Sequence, residues 1–201
     1  INQPEKTYFN ILVSKRSCLN IYILCNILGI TLTFLINTKI LIFSIFLILA
    51  LWIYSHKLRK KVLFGEISAS FLTISFFLGI ALFNLKFNLT LALFSTYIFT
   101  IDLTREIIKK MISLKGDLIV GEKSIPIYFG IKKSKYIIFF LMISSLLAIL
   151  SLLPIVLNRS FSYYFILSFA VISFTIYLLH HAKSKTQFNK INTIYKFLIG
   201  L

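Results

Sequence analysis

Four of the six carboxylates in this 201-residue chain, Asp102, Glu106, Asp117 and Glu122, stand among Arg105, Lys109, Lys110, Lys115 and Lys123. Mg²⁺ takes oxygen ligands and commonly bridges one or two carboxylates to phosphate oxygens, while Arg and Lys neutralise the remaining charge. The set therefore suits a diphosphate held through a divalent cation. A simpler reading stays open for part of it, because Glu106 and Lys110 have the i to i+4 spacing of a surface pair worth only about 0.2–0.5 kcal/mol. Positions 102, 105, 106, 109, 110 and 113 share one face of a helix. The stretch has no Gly or Pro before Gly116, so it is expected to continue the apolar helix that precedes it. Gly116, Gly121 and Pro126 then predict a turn and a re-entering loop.

The elements that must position these residues are set by composition. The chain is 58% hydrophobic and 14% charged, with a mean hydropathy of +0.91, whereas soluble domains are about 45–50% apolar. Two cysteines, seven glycines and three prolines exclude disulfide-rich, collagen-like and disordered classes. A helix needs about 20 apolar residues to span a bilayer. Seven runs approach that length: Cys18–Ile36, Ile40–Tyr54, Leu63–Phe83, Leu89–Thr104, Tyr136–Val156, Phe161–Leu179 and a shorter one at Ile191–Leu201. They predict an all-α, multispanning helical bundle.

The net charge of +16 would point to nucleic acid in a soluble chain, so its placement matters. Eighteen of the 22 Lys and Arg fall in alternate polar segments, 1–17, 55–62, 105–135 and 180–190, whereas the loops between hold only Lys39, Lys86 and Arg159. Cytoplasmic loops carry this excess. Residues 1–17 and the polar segment 102–135 are accordingly expected on the cytoplasmic face of a cell inner (plasma) membrane, with no nucleic-acid partner. The chain opens on Ile1 and its last run holds only eleven residues. It is expected to be a piece of a longer, single membrane domain.

Arg105-Glu106-Ile107-Ile108-Lys109, followed by Gly116-Asp117, Gly121, Lys123-Ser124-Ile125-Pro126-Ile127 and Gly130, resembles the second signature of the UbiA family of intramembrane prenyltransferases. The flavour is that of the geranylgeranylglycerol-phosphate geranylgeranyltransferase-like branch. Ile1-Asn2-Gln3-Pro4 is similar to the stretch that follows the family's first aspartate motif. Tyr54-Ser55, Lys57, Arg59, Lys60 and Leu63-Phe64-Gly65 are similar to the loop after its fourth helix. The seven runs correspond to the last seven of the family's nine helices.

The resemblance implies Mg²⁺-assisted ionisation of a prenyl diphosphate and capture of the prenyl group by a lipid or aromatic acceptor in the membrane; which acceptor, and which prenyl length, it does not specify. It implies Asp117 as the magnesium contact and a catalytic residue, with Arg105 and Lys109 also catalytic and Arg105, Lys109, Lys123, Lys57 and Arg59 gripping the diphosphate. The chain departs from the signature at Lys110 and Ser113, which replace aspartates, and at Glu66, which replaces an asparagine. With one of three acids left and the first motif absent from 1–201, the piece alone is expected to be inactive. The alternatives are a decayed, non-catalytic homologue and a multispanning transporter or membrane component.

Other residues carry blander expectations. Cys18 and Cys25 read as small apolar core residues, His180 and His181 as interfacial, and His56 as a surface residue. Tyr54 and Tyr163-Tyr164 read as membrane-interface aromatics. Glu66, three positions into an apolar run, either faces a cavity or reaches the surface to pair with Lys60 or Lys61.

Overall fold

The computed structural model describes residues 14–84, 88–156 and 162–200. The Ile1-Asn2-Gln3-Pro4 stretch and Lys6 lie outside the described residues. Within them the chain forms α1 (Lys15–Ile36), α2 (Thr38–His56), a single 3₁₀ turn (Leu58–Lys60), α3 (Phe64–Asn84), α4 (Leu89–Val120), α5 (Ile125–Val156), α6 (Ser162–His181) and α7 (Lys185–Gly200). These sequences are rich in Ile and Phe, which are not strong helix formers in water. In hydrocarbon a helix is favoured nonetheless, because it satisfies every backbone N–H and C=O within the segment. The Ser and Thr side chains obey the same constraint by donating to the preceding turn, as Thr33 does to the Gly29 carbonyl at 3.0 Å and Thr104 to the Thr100 carbonyl at 2.7 Å.

Asn37 joins α1 to α2 with no loop between them. Its backbone N–H closes α1 on the Thr33 carbonyl, and its side chain accepts the Lys39 N–H at 2.9 Å, so one residue caps both helices. Consecutive helices pack as neighbours, and α7 returns to lie against α4. The core therefore sits in the closed group α4–α7, around Tyr97, Ile107, Ile138, Met142, Ile149, Ile172 and Ile191. No described residue of α2 is buried, and α1 and α2 turn apolar side chains such as Leu35 and Phe46 outward, as lipid-facing helices do. Cys25 is exposed and Cys18 half-buried on α1, so neither is a core residue. His180 and His181 are exposed where α6 ends, and His56 is exposed at the end of α2.

Among the described residues, four helices are long and apolar enough to cross a membrane: Arg16–Ile36, Thr38–Lys60, Ile125–Val156 and Ser162–His181. The other three runs also fold as helices. α3 has 21 residues, and its sequence stays apolar from Ile67 to Phe83 apart from Ser, Thr and Gly79. α4 has 32 residues, about 48 Å at the helical rise, so it outreaches a hydrocarbon core of about 30 Å and carries its polar half beyond it. α7 starts at Lys185, six residues before the expected run, because Ser184-Lys185-Thr186-Gln187 forms a cap. The Gln187 N–H donates to Ser184 Oγ at 3.4 Å, and Gln187 Oε1 accepts the Lys183 and Ser184 N–H groups at 2.7 and 2.9 Å. Phe188, Ile191, Tyr195 and Leu198 form its buried stripe. Tyr164 also departs from expectation. It is half-buried, and its hydroxyl donates to the Leu198 carbonyl at 3.1 Å, while Tyr163 is exposed.

The expected turn at Gly116 does not occur. Gly116 is helical and buried, because packing outweighs the cost of about 1 kcal/mol for a helical glycine. α4 ends instead at Gly121, whose φ of 73° is left-handed, with the Glu122 N–H returning to the Asp117 carbonyl at 2.9 Å. Pro126 does not break a helix either. It occupies the first turn of α5, where its missing N–H is not needed. The connection thus shrinks to residues 121–124. α5 bends at Gly130, with φ 78° and ψ 165°, a region essentially closed to other residues. Gly130→Ala is expected to destabilise the fold by about 1–3 kcal/mol, measured as a lowered thermal midpoint of the detergent-solubilised protein.

Candidate functional site

One end of the bundle gathers the turn after α2, the polar half of α4, the 121–124 connection and the start of α7 around a cavity of about 570 Å³. Arg59, Lys109, Lys110 and Lys185 bring positive charge to its wall, and Glu106, Asp117 and Glu122 bring negative charge. Tyr54, Ser113, Asn189 and Asn192 add hydrogen-bonding groups. Three of the basic segments recognised in the sequence therefore meet at a single end, as their alternation requires.

The charges are ordered by ion pairs. Lys110 Nζ lies 2.6 Å from Glu122 Oε2 and 3.4 Å from Asp117 Oδ2. Arg59 Nη2 approaches Glu122 Oε1 at 3.3 Å, which ties the turn after α2 to the connection after α4. Ser113 Oγ donates to Asp117 Oδ2 at 2.8 Å. Glu106 takes Lys109, at 2.7 Å, rather than Lys110. The reason is that Lys110 is drawn by Asp117, two turns on along the same face of α4, and by Glu122, which becomes its neighbour once α4 has ended and turned back.

Burial pushes the Glu122 carboxyl up, but the hydrogen bond and charge of Lys110, with Arg59 added, outweigh it and hold the group below its ordinary value. Burial pulls the Lys110 ammonium down, and Glu122 with Asp117 outweighs that and holds it above its ordinary value. A carboxyl with a depressed folded-state pKa contributes stability that is present above its unfolded pKa and lost as pH falls through the folded one. Acidification below the ordinary glutamate range of about 4.3 is therefore expected to release the connection. Amide hydrogen exchange at Glu122–Ser124, corrected for intrinsic rate, should rise there while exchange in the core of α5 stays slow.

The structure brings together Asp117, Lys109 and Arg59 from the sequence-derived set. It leaves Arg105, Lys123 and Lys57 out of the cavity wall. Arg105 turns toward the α3–α4 seam, with Nη1 3.6 Å from the Asp102 carboxylate, which also accepts the Thr73 hydroxyl at 3.1 Å. Lys123 and Lys57 are exposed near the rim. Lys185 and Asn189 lie before the Ile191–Leu201 run and Asn192 is a polar residue within it, so none of the three stands out by sequence; the Ser-x-x-Gln capping pattern at Ser184 is the signal that extends the helix to the first two.

Glu66 neither opens onto this cavity nor reaches Lys60 or Lys61. It is 3% exposed, and its Oε1 accepts the Ile125 N–H at 2.9 Å. A carboxylate from the first turn of α3 thus caps the first turn of α5, where the positive ends of two helix dipoles favour it.

The donors at this end fit Mg²⁺ poorly. Among the described residues no three His, Cys, Asp or Glu side chains converge as a metal set. The two carboxylates that approach one another, Asp117 and Glu122, have an ammonium between them.

Comparisons with known proteins agree with this architecture. The chain is 32% identical over 191 residues to the digeranylgeranylglyceryl phosphate synthase of Korarchaeum cryptofilum, covering 90% of this chain and 64% of that one. It is 32% identical over 138 residues to the Methanococcoides burtonii enzyme of the same name, covering 68% and 49%. Against the Sulfurisphaera tokodaii enzyme it is 26% identical over 212 residues, covering 100% and 75%. A solved structure of a digeranylgeranylglyceryl phosphate synthase superposes with a TM-score of 0.70 at 26% identity, covering 95% of this chain and 68% of that one. The chain thus spans about half to three quarters of the length of these relatives. Residues 3–200 match the UbiA prenyltransferase family, and the chain belongs to that family.

Proposed function

We propose that the protein transfers a prenyl group from a prenyl diphosphate to a lipid acceptor within the membrane, the acceptor being of the glyceryl phosphate type named for its relatives. The observation that supports this most is the pairing of two cavities of opposite character. The polar one described above carries four cationic side chains. An apolar cavity of about 500 Å³, lined by Gly29, Leu47, Leu51, Leu72 and Phe76, shares Tyr54 with the polar one and Thr73 with a further apolar cavity of about 540 Å³ beside Phe94 and Tyr97. A substrate with a diphosphate head and an isoprenoid tail suits a polar cavity bordered by an apolar one.

In this scheme Arg59 and Lys109 bind the diphosphate oxygens. The bond between the allylic carbon and the diphosphate oxygen breaks as negative charge builds on the leaving group, and these cations stabilise that charge. An acceptor hydroxyl then bonds to the carbon and gives up its proton to the released diphosphate. Magnesium, on which the family generally relies, would neutralise further diphosphate charge, held by groups other than the Lys110-paired Asp117 and Glu122. Asp117 contributes by holding Lys110 in place. Lys57 and Lys123 at the rim add to the positive field that draws in the anion, and Arg105 positions α4 against α3 through Asp102. The polar end faces the cytoplasm of a plasma membrane, as the positive-inside distribution indicates.

The test is full-length protein in lipid vesicles, supplied with radiolabelled geranylgeranyl diphosphate and geranylgeranylglyceryl phosphate. Label is expected in a doubly prenylated lipid only when both substrates are present. Release of diphosphate with no acceptor-dependent product would refute the reading.

A further inference from the structure

We infer that the Lys110 ammonium occupies the place of a divalent cation at the α4–α5 end of the site, so that Asp117 and Glu122 serve as its counter-ions and do not ligate Mg²⁺. Three observations carry this. Lys110 Nζ touches both carboxylates, at 2.6 Å and 3.4 Å, and its side chain is only 20% exposed. Glu122 Oε1 is also engaged, by Arg59 at 3.3 Å, and Asp117 Oδ2, the oxygen that faces Lys110, accepts from Ser113 as well at 2.8 Å. Finally, the convergent acids number two, with no third His, Cys, Asp or Glu joining them among the described residues.

Mg²⁺ demands a near-octahedral shell of oxygens and parts with its waters reluctantly. To enter here it would have to expel an ammonium already paired with two carboxylates, and it would then stand beside that expelled charge. The fixed cation does part of a metal's electrostatic work without one. With Lys110 offsetting one of the two carboxylate charges, the four cations and three carboxylates around the cavity leave one net positive charge, and Lys185 and the exposed sides of Arg59 and Lys109 face a phosphate-bearing anion. Ligands contributed by other parts of the full-length protein are unaffected, because the inference concerns this pair of acids alone.

Manganese titration of the full-length protein, followed by the electron paramagnetic resonance signal of free Mn²⁺, reads the number of bound ions without any turnover. Wild type and Asp117→Asn are expected to bind the same number. Lys110→Asp, which turns the ammonium into a third carboxylate, is expected to bind one more, and Asp117→Asn added to it should weaken that extra ion at least tenfold. Lys110→Gln, which removes the charge and keeps a hydrogen-bonding side chain, should also gain an ion, more weakly. Loss of an ion from Asp117→Asn in the wild-type background would overturn the inference. So would a failure of both folded Lys110 variants to gain one. The ion count does not depend on prenyl transfer, so either reading can fail while the other stands.

Discussion

Lys109→Ala and Arg59→Ala should each lower kcat/KM for prenyl transfer by about 10–100-fold. The estimate follows from about 1.5–3 kcal/mol for a hydrogen bond to a charged group, at 1.36 kcal/mol per factor of ten. The two side chains come from different elements around the same cavity, one from the turn after α2 and one from α4. If they hold different phosphate oxygens, the losses should add in the double variant. Arg59 has a second role through Glu122, so Arg59→Lys is expected to recover only part of the loss, since a lysine cannot reproduce a planar, bidentate grip. Lys39→Ala, at the opposite end of α2, should leave kcat/KM unchanged. The measurement is steady-state transfer in vesicles, with diphosphate and acceptor varied separately.

Removal of the Glu66 carboxylate should have the largest effect on stability among the polar residues. Glu66→Ala leaves the buried Ile125 N–H without its acceptor, which costs about 1–3 kcal/mol for an unsatisfied buried donor. Loss of side-chain volume adds to this. Glu66→Gln keeps an oxygen at the same place and should cost markedly less. Thermal unfolding in detergent orders the three proteins as wild type, Gln, Ala. Hydrogen exchange at Ile125 should accelerate in the alanine variant before the core of α4 and α5 is affected, because the cap fixes the connection that carries Glu122 and Lys123.

The spans were legible because a run of apolar residues in lipid has essentially one backbone solution, and the charge alternation was legible because it is a property of segments. The details that shape the site depend on contacts between residues far apart in sequence. Gly116 reads as a breaker locally, yet it is helical because α4 is packed around it. Lys110 reads as the partner of Glu106 by spacing, but it pairs with Asp117, two turns on along α4, and with Glu122, which reaches it only after the turn at Gly121. Glu66 and Ile125 are 59 positions apart, and nothing in either segment alone indicates that one caps the other. α7 is a different case. Its Ser-x-x-Gln cap and its apolar stripe from Phe188 to Leu198 are both readable in the sequence, but the stripe has only one buried residue before the more apolar Ile191–Leu201 run.

The central claim is that the polar end of the bundle is a diphosphate site built from Arg59 and Lys109. Isothermal titration of full-length wild type and the Arg59→Ala, Lys109→Ala double variant with a non-ionisable prenyl thiodiphosphate tests it most directly. Binding is expected to weaken by at least about a hundredfold in the double variant, from two charged hydrogen bonds, while the affinity for the corresponding uncharged prenyl alcohol stays the same. Equal affinity of the two proteins for the thiodiphosphate would contradict it.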